Sequence, residues 1–337
     1  MGVKLSPIVP KRPIAFEELR HTRIVVDGMQ CMYQFLSSIR QPDGTPLMDG
    51  KGRVTSHLMG IWTRFSNLMG KQLSLAVVFD GVPPDLKMRE LSDRSDRKAA
   101  ARVKHDEAED EEDFAGMHKY AKQTIVINDS MLAEAQELLQ AMGLPVIQAP
   151  CEADAQMALM NRLGDVWAAA TTDYDVLLHQ SPRMIANLTL SGRRRYGSGK
   201  IVQIVPEVVE LQEVLSSLKL SQEQLVDLAI LVGTDYNPDG VKGIGPKKAL
   251  KLVQQFPVRK QLQKQVEFDF PWDEIAELFV KMPVDKDYKL VWNPINPDEV
   301  KRLLVDKHNF SEERIDLVLK KQSAVPKGQK SLKEFFG

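Results

Sequence analysis

The sequence predicts an α/β fold with a mixed, mostly parallel central sheet flanked by helices. Three observations carry that expectation. The runs Arg23-Ile-Val-Val-Asp27, Leu75-Ala-Val-Val-Phe-Asp80 and Val166-Trp-Ala-Ala-Ala-Thr-Thr-Asp173 are continuously apolar, as strands buried on both faces of a parallel sheet are. Helix-like segments alternate with them through the first half, as crossover connections require. From 206 onward the pattern is helical, so a helical region follows the sheet-forming part.

The elements follow in order. After the strand to Asp27 come a helix through Met32-Tyr-Gln-Phe-Leu36, a Gly-rich loop at 43–52, a helix at about 54–69 and the strand to Asp80. Gly81-Val-Pro-Pro84 breaks the alternation. The segment 85–128 is highly charged with few apolar residues, cannot build a core of its own, and reads as exposed helix arching off the body. Ser130 is the expected cap of an amphipathic helix through Met142 that ends at Gly143. A strand over 145–149 leads into a helix holding Glu152 and Asp154, and the strand to Asp173 follows. Extended runs at 184–190 and 201–205 bracket Ser191-Gly-Arg-Arg-Arg-Tyr-Gly197 and read as a hairpin with Arg193 to Arg195 at its tip. The chain thus divides into parts at 1–84, 85–128, 129–235, 236–321 and a polar tail at 322–337.

The 337 residues suffice for one large core or two joined lobes. No apolar stretch approaches a membrane span, and no secretory segment opens the chain. Met1-Gly-Val-Lys-Leu-Ser6 fits a loose myristoylation pattern, but a small second residue that lets Met1 be removed is the plainer reading. Two cysteines and six scattered histidines argue against disulfides and zinc, and for a reducing, intracellular setting. Net charge is −1, so no global basic character announces nucleic acid. Local distribution is more informative: bases gather at 87–104, 193–195 and 242–251, and acids gather at Asp106-Glu-Ala-Glu-Asp-Glu-Glu-Asp113 and at the strand ends.

Strand-end acids are the first functional signal. Asp27, Asp80 and Asp173 would emerge at one sheet edge, where open α/β sheets bind ligands. Glu152, Asp154, Asp175 and Asp235 lie close to such ends or to a Gly turn. For any one of them alone, a helix cap is the better reading, and only the set favours metal. Seven together in one pocket require cations, and two Mg²⁺ would still leave the pocket negative; two metals are the arrangement used for in-line phosphodiester displacement. An aspartyl phosphatase would also use Asp173 and Asp175 but leaves Asp27 and Asp80 idle. Lys87 and Arg94, two helical turns apart on one face of the charged segment, could reach a phosphate above the metals, or belong to an ordinary solvated helix.

Two motifs point to partners. Gly240-Val-Lys-Gly-Ile-Gly-Pro-Lys-Lys-Ala-Leu250, with the helix at about 222–232 before it, reads as a helix-hairpin-helix element. Gly243 and Gly245 permit close backbone approach, Pro246 starts a helix whose free N–H groups favour phosphate, and Lys247 and Lys248 add charge. A plain Gly-Pro turn is the alternative. In the tail, Leu332, Phe335 and Phe336 form an apolar plug with Gln329 beside it, which needs a groove on a partner or on the protein itself.

Taken together, these segments resemble a structure-specific flap endonuclease of the 5′-nuclease superfamily over nearly the full chain. The resemblance rests on Val26-Asp-Gly-Met, Tyr33-Gln-Phe-Leu36, Thr55-Ser-His-Leu-Met-Gly60, Val78-Phe-Asp-Gly81, Ala149-Pro-Cys-Glu-Ala-Asp-Ala155, Thr172-Asp-Tyr-Asp175, Gly233-Thr-Asp-Tyr236 and the glycine hairpin. It implies a PIN-like 5′-nuclease fold with a helical arch. It implies two Mg²⁺, with Mn²⁺ as a substitute: Asp27, Asp80, Glu152 and Asp154 on the first, Asp173, Asp175 and Asp235 on the second. It gives Lys87 and Arg94 a catalytic role at the scissile phosphate, and sets Tyr33 against the junction base, where pattern alone makes Tyr33 a helix core residue. Arg40 joins Tyr33, Gly243, Gly245, Lys247 and Lys248 as DNA-binding. The substrate would be branched duplex DNA with a 5′ flap, cut near the junction during Okazaki-fragment maturation and repair by a monomer. A 5′ exonuclease, a junction resolvase or a non-catalytic DNA scaffold are the alternatives. Gln329, Leu332, Phe335 and Phe336 resemble a sliding-clamp-binding motif, and a chain stopping there resembles archaeal members. One departure stands out: the family commonly has glutamate where this chain has Asp154, so an intervening water is expected there.

Overall fold

A computed structural model describes residues 2–41, 43–88, 125–190, 193–195 and 201–323, the side chains of 193–195 and 201–203 excepted. The strands among them are β1 (Arg12–Pro13), β2 (Arg23–Asp27), β3 (Ser74–Phe79), β4 (Val146–Gln148), β5 (Ala168–Ala170), β6 (Arg183–Ala186), β7 (Arg193–Arg195), β8 (Ile201–Gln203) and β9 (Glu207–Glu210). The helices are α1 (Gly28–Ser38), α2 (Ser56–Gly70), α3 (Asp129–Ala141), α4 (Ala153–Arg162), α5 (Asp175–Leu178), α6 (Leu211–Leu218), α7 (Gln222–Val232), α8 (Pro246–Gln255), α9 (Arg259–Gln263), α10 (Trp272–Lys281), α11 (Pro297–Lys301), which runs on into a π-helical turn, Arg302–Lys307, and α12 (Glu312–Ser323). Arg94, most of the charged segment, the acidic run at 106–113 and the tail motif lie outside the described residues.

The central sheet has the order β1-β9-β6-β5-β2-β3-β4. Its middle, β6 to β4, is parallel, and β9 and β1 add an antiparallel edge. The alternation of side chains explains why both faces had to be apolar. Val25, Ala76 and Val78 point into one core with α4, α7 and α10. Ile24, Val26, Leu75, Val77 and Phe79 point into the other with α1, α2 and α3. Val300, Leu303, Leu304, Ile315 and Leu319 belong to that second core, and the Trp292 indole donates to the Leu75 carbonyl at 2.7 Å. The last helices therefore return to the sheet part rather than forming a body apart.

Several local expectations are corrected. The run 184–190 is no hairpin arm: β6 lies inside the main sheet, and the small hairpin pairs β7 with β8. Arg193 to Arg195 thus form a strand, not the tip. Residues 207–210 are a strand, not helix, because their two valines fill the sheet edge beside β6. Asn128, not Ser130, caps α3, its side chain accepting the Met131 N–H at 2.9 Å. β5 stops at Ala170, three residues before Asp173. There the Gln30 amide takes over, accepting the Thr172 N–H at 2.8 Å and donating to the Thr171 hydroxyl at 3.1 Å.

Candidate active site

The parallel strands deliver the acids to one edge, and local capping aims them. Asp27 ends β2 and caps α1, its carboxylate accepting the Gln30 N–H at 2.8 Å. Asp80 follows β3 and accepts the Ala153 N–H at 2.8 Å, which docks the start of α4 against the end of β3. That docking needs Gly81. Its N–H donates to the Cys151 carbonyl at 2.6 Å, and a Cβ there would lie 2.1 Å from the Ala149 carbonyl oxygen. Glu152 and Asp154 are thereby carried on the first turn of α4 toward Asp80. Asp173 accepts the Asp175 N–H at 3.2 Å, and Asp175, the first residue of α5, accepts the Val3 N–H at 3.3 Å. Asp235 lies in the turn after α7, where Gly233 has φ +110° and Asn237 holds the Thr234 hydroxyl at 2.7 Å.

All seven acids line a single cavity of about 740 Å³, together with Lys87, Tyr33, Gly2, Val3, Gln30, His179, Tyr236 and Phe279. Capping and clustering are thus not alternatives: Asp27 and Asp80 do both. The tightest group is Asp154, Asp173 and Asp175, with one oxygen of each within 4.8 Å of the others. Asp154 therefore stands with the pair expected on the second metal, and its shorter side chain does not hold it out of the cluster.

Mutual repulsion and burial are visible in the protonation equilibria. Burial, and then the neighbouring Asp80, push Asp27 up to about 7. Burial pushes Asp154 and Asp175 well above the usual carboxylate range, Asp173 adding to both. Burial and Asp235 raise Asp173. Lys87 sits among them as a counter-charge. Lys87 Nζ lies 2.6 Å from Glu152 and 3.3 Å from Asp235. Burial alone would lower its pKa, but these carboxylates outweigh it and hold the ammonium above its ordinary value. One Oδ of Asp154 is buried with no hydrogen-bond partner among the described residues. A buried, unsatisfied carboxylate oxygen beside two further carboxylates is the donor set a hard divalent cation takes.

The other predicted residues divide. Tyr33 is 39% exposed at the cavity, so it is not the core residue its helical spacing had allowed. The Arg40 guanidinium donates to the carbonyls of Leu36 and Gly44 at 3.0 and 2.7 Å, holding the loop after α1. Gly243 has φ +74°, Gly245 is the N-cap of α8 with no side-chain cap, and Pro246 is at its first turn. Lys247 and Lys248 are exposed on that turn, the Lys248 ammonium 3.4 Å from the Gly243 carbonyl. Sequence reasoning missed Gly2, Gln30, His179, Tyr236 and Phe279. A Cβ on Gly2 would fall 1.2 Å from an Asp173 carboxylate oxygen, a proximity across the chain that no local pattern announces.

Comparison with known proteins gives the family. Residues 1–101 match the XPG N-terminal domain and 143–235 the XPG I-region, and all seven acids fall inside these two segments. Flap endonuclease 1 of Pyrococcus horikoshii is 45% identical over 99% of this chain and 98% of its own. The chain belongs to the flap endonuclease 1 family. Membership fixes the enzyme class, a metal-dependent nuclease. A solved flap endonuclease-1 from Methanococcus jannaschii superposes with a TM-score of 0.76 at 38% identity, covering 95% of this chain and 98% of its own. The catalytic core of Rad2 in complex with DNA substrate, 23% identical with a TM-score of 0.70 over 94% of this chain and 97% of that one, has the same fold. No described helix is long and apolar enough to cross a membrane.

Proposed function

We propose that the protein is a structure-specific 5′-flap endonuclease that hydrolyses one phosphodiester near the junction of a single strand with duplex DNA. The observation that carries this is the convergence of seven carboxylates, with Lys87 paired to two of them, on a single cavity at the strand ends. Asp27, Asp80, Glu152 and Asp154 on one side, and Asp173, Asp175 and Asp235 on the other, would hold two Mg²⁺, with Mn²⁺ able to substitute. The grouping of Asp154 with Asp173 and Asp175 favours Asp154 as a ligand shared between the two positions. When bound, the metals neutralise the cluster and supply Lewis-acid polarisation of the phosphodiester.

The chain's own groups then divide the work. Lys87, paired with Glu152 and Asp235, would meet the scissile phosphate, joined by Arg94. Tyr33 offers an exposed ring at the cavity on which a base can stack. The N-terminus of α8, with Gly243, Gly245, Lys247 and Lys248, would grip the duplex backbone without reading sequence. Arg40 contributes through the loop it braces. The segment 85–128 would act as the arch that takes the 5′ strand, and Gln329, Leu332, Phe335 and Phe336 would engage a sliding clamp, with the enzyme a monomer in replication and repair.

A product-length assay on 5′-flap, nicked, blunt and four-way DNA, with Mg²⁺ or with EDTA, tests the reading. The expected result is a Mg²⁺-dependent cut near the junction of the flap substrate, lost in Asp80→Ala and Asp173→Ala. Equal cutting of blunt or four-way DNA would favour an exonuclease or a resolvase, and cleavage by either variant at the wild-type rate would sink the metal assignment.

A further inference from the structure

Asp175 stands on the shortest scaffold in the site. Helix α5 has four residues, and a helix that short does not hold itself in water. Its own geometry contributes the His179 N–H to the Asp175 carbonyl, at 3.1 Å. Further hold comes from the helical region that follows the sheet. The side-chain amide of Gln222, the first residue of α7, donates to the carbonyls of Leu177 and Leu178, at 3.0 Å each. Both are carbonyls of the helix's last turn, and that of Leu177 also accepts the Gln180 N–H at 3.0 Å. The His179 ring, 4% exposed at the cavity wall, places Nδ1 3.1 Å from the carbonyl of Phe279 in α10. A carbonyl only accepts, so Nδ1 carries the proton.

Helix α7 has a second link to the site, because the turn at its other end carries Asp235. One helix thus presents Asp235 and, through Gln222, grips the turn bearing Asp175. α10 adds Phe279, whose ring packs against His179 with centroids 5.2 Å apart and edge-on to Tyr236 at 5.5 Å. The Gln222 amide makes these bonds while its Oε1 is buried without a hydrogen-bond partner among the described residues, an arrangement that costs stability.

We propose that Gln222 and His179 are positioning residues for Asp175. By tying α5 to α7 and α10 they hold the third carboxylate of the Asp154, Asp173 and Asp175 group at the separation a divalent cation requires. Metal affinity then depends on the packing of the helical region, the same region that presents the glycine hairpin. The inference rests on the reading of that group as a metal site.

The test is calorimetric titration of the full chain with Ca²⁺, without DNA, so that affinity is read apart from cleavage. Gln222→Leu and His179→Leu remove the donors; Gln222→Glu keeps the size and turns the donor into an acceptor. Gln222→Arg and His179→Asn restore a donor at the same place, since an Asn amide nitrogen falls where His Nδ1 lies. The Leu and Glu variants are expected to bind Ca²⁺ about 10-fold more weakly or worse, the range found when a partner that orients a metal ligand is lost. Gln222→Arg and His179→Asn are expected near wild type. Wild-type affinity in the Leu and Glu variants, when Asp175→Ala has lost binding, overturns the positioning role. Failure of the Asn and Arg variants to rescue overturns it too, by assigning the effect to packing. Wild-type affinity in Asp175→Ala overturns the metal reading itself, and the inference with it.

Discussion

Replacing Asp27 with asparagine is expected to stabilise the metal-free protein at neutral to alkaline pH while ending cleavage. Asp27 titrates near 4 in an unfolded chain but is pushed up to about 7 in the fold, by burial and by Asp80. Between those values the folded state binds the extra proton, so stability falls as pH rises from about 4 through about 7, and above that the whole loss is present. A shift of about 3 pK units corresponds to about 4 kcal/mol. The charges of Asp80 and Asp173 contribute to that shift and Asp27 is partly reached by water, so about 2–4 kcal/mol is the working range. Asparagine caps a helix as well as aspartate does, so the bond to the Gln30 N–H survives and the charge alone is removed. The assay is urea unfolding in EDTA at pH 8 and pH 4. Asp27→Asn should gain stability over wild type at pH 8 and nothing at pH 4, and added Mg²⁺ should erase most of the difference by stabilising wild type. No gain at pH 8, or an equal gain at both pH values, would refute the account of charge crowding.

Further outcomes follow from other parts of the molecule. Gly81→Ala sets a Cβ 2.1 Å from a backbone oxygen, which cannot step aside cheaply; a loss of about 2–3 kcal/mol of stability is expected by urea unfolding, with cleavage reduced as Asp80 and Glu152 separate. Lys247→Ala with Lys248→Ala should reduce the slope of log binding constant against log salt by about 1.8, because two phosphate contacts vanish; an identical slope would mean that neither lysine touches phosphate. Phe335→Ala with Phe336→Ala should abolish stimulation by a sliding clamp and spare clamp-free cleavage, measured side by side on one flap substrate.

The acids were legible because the strands were. Asp27, Asp80 and Asp173 could be placed on one edge since each ends an apolar run too short and too continuous for a surface helix. Once those strands are parallel, their exits must coincide. What local pattern could not supply was the partner of each short run. Met184 to Ala186 and Glu207 to Glu210 are as compatible with a hairpin or a helix as with an edge of the main sheet, and only pairing across the fold decides. The cap of α3 shows the same limit on a smaller scale. Asn128 and Ser130 are both good caps, and the choice falls to the side chain that meets the Met131 N–H. Tyr33 follows the spacing of a core residue on α1, yet faces the cavity. Gly2 and His179 reach the site only through tertiary packing.

Lys87 links the resting charge balance of the site to its chemistry. Its ammonium holds Glu152 and Asp235, two acids that would serve opposite metal positions. A carboxylate oxygen engaged by a divalent cation has less to offer an ammonium, so loading of the site would weaken the hold on Lys87 from both sides. The side chain would then be available to a phosphate at the same cavity. By reciprocity, whatever draws Lys87 toward a phosphate favours loading of the acids it leaves. On that assignment the lysine would do more than neutralise the carboxylates: its displacement by the cations would couple their arrival to that of the phosphate.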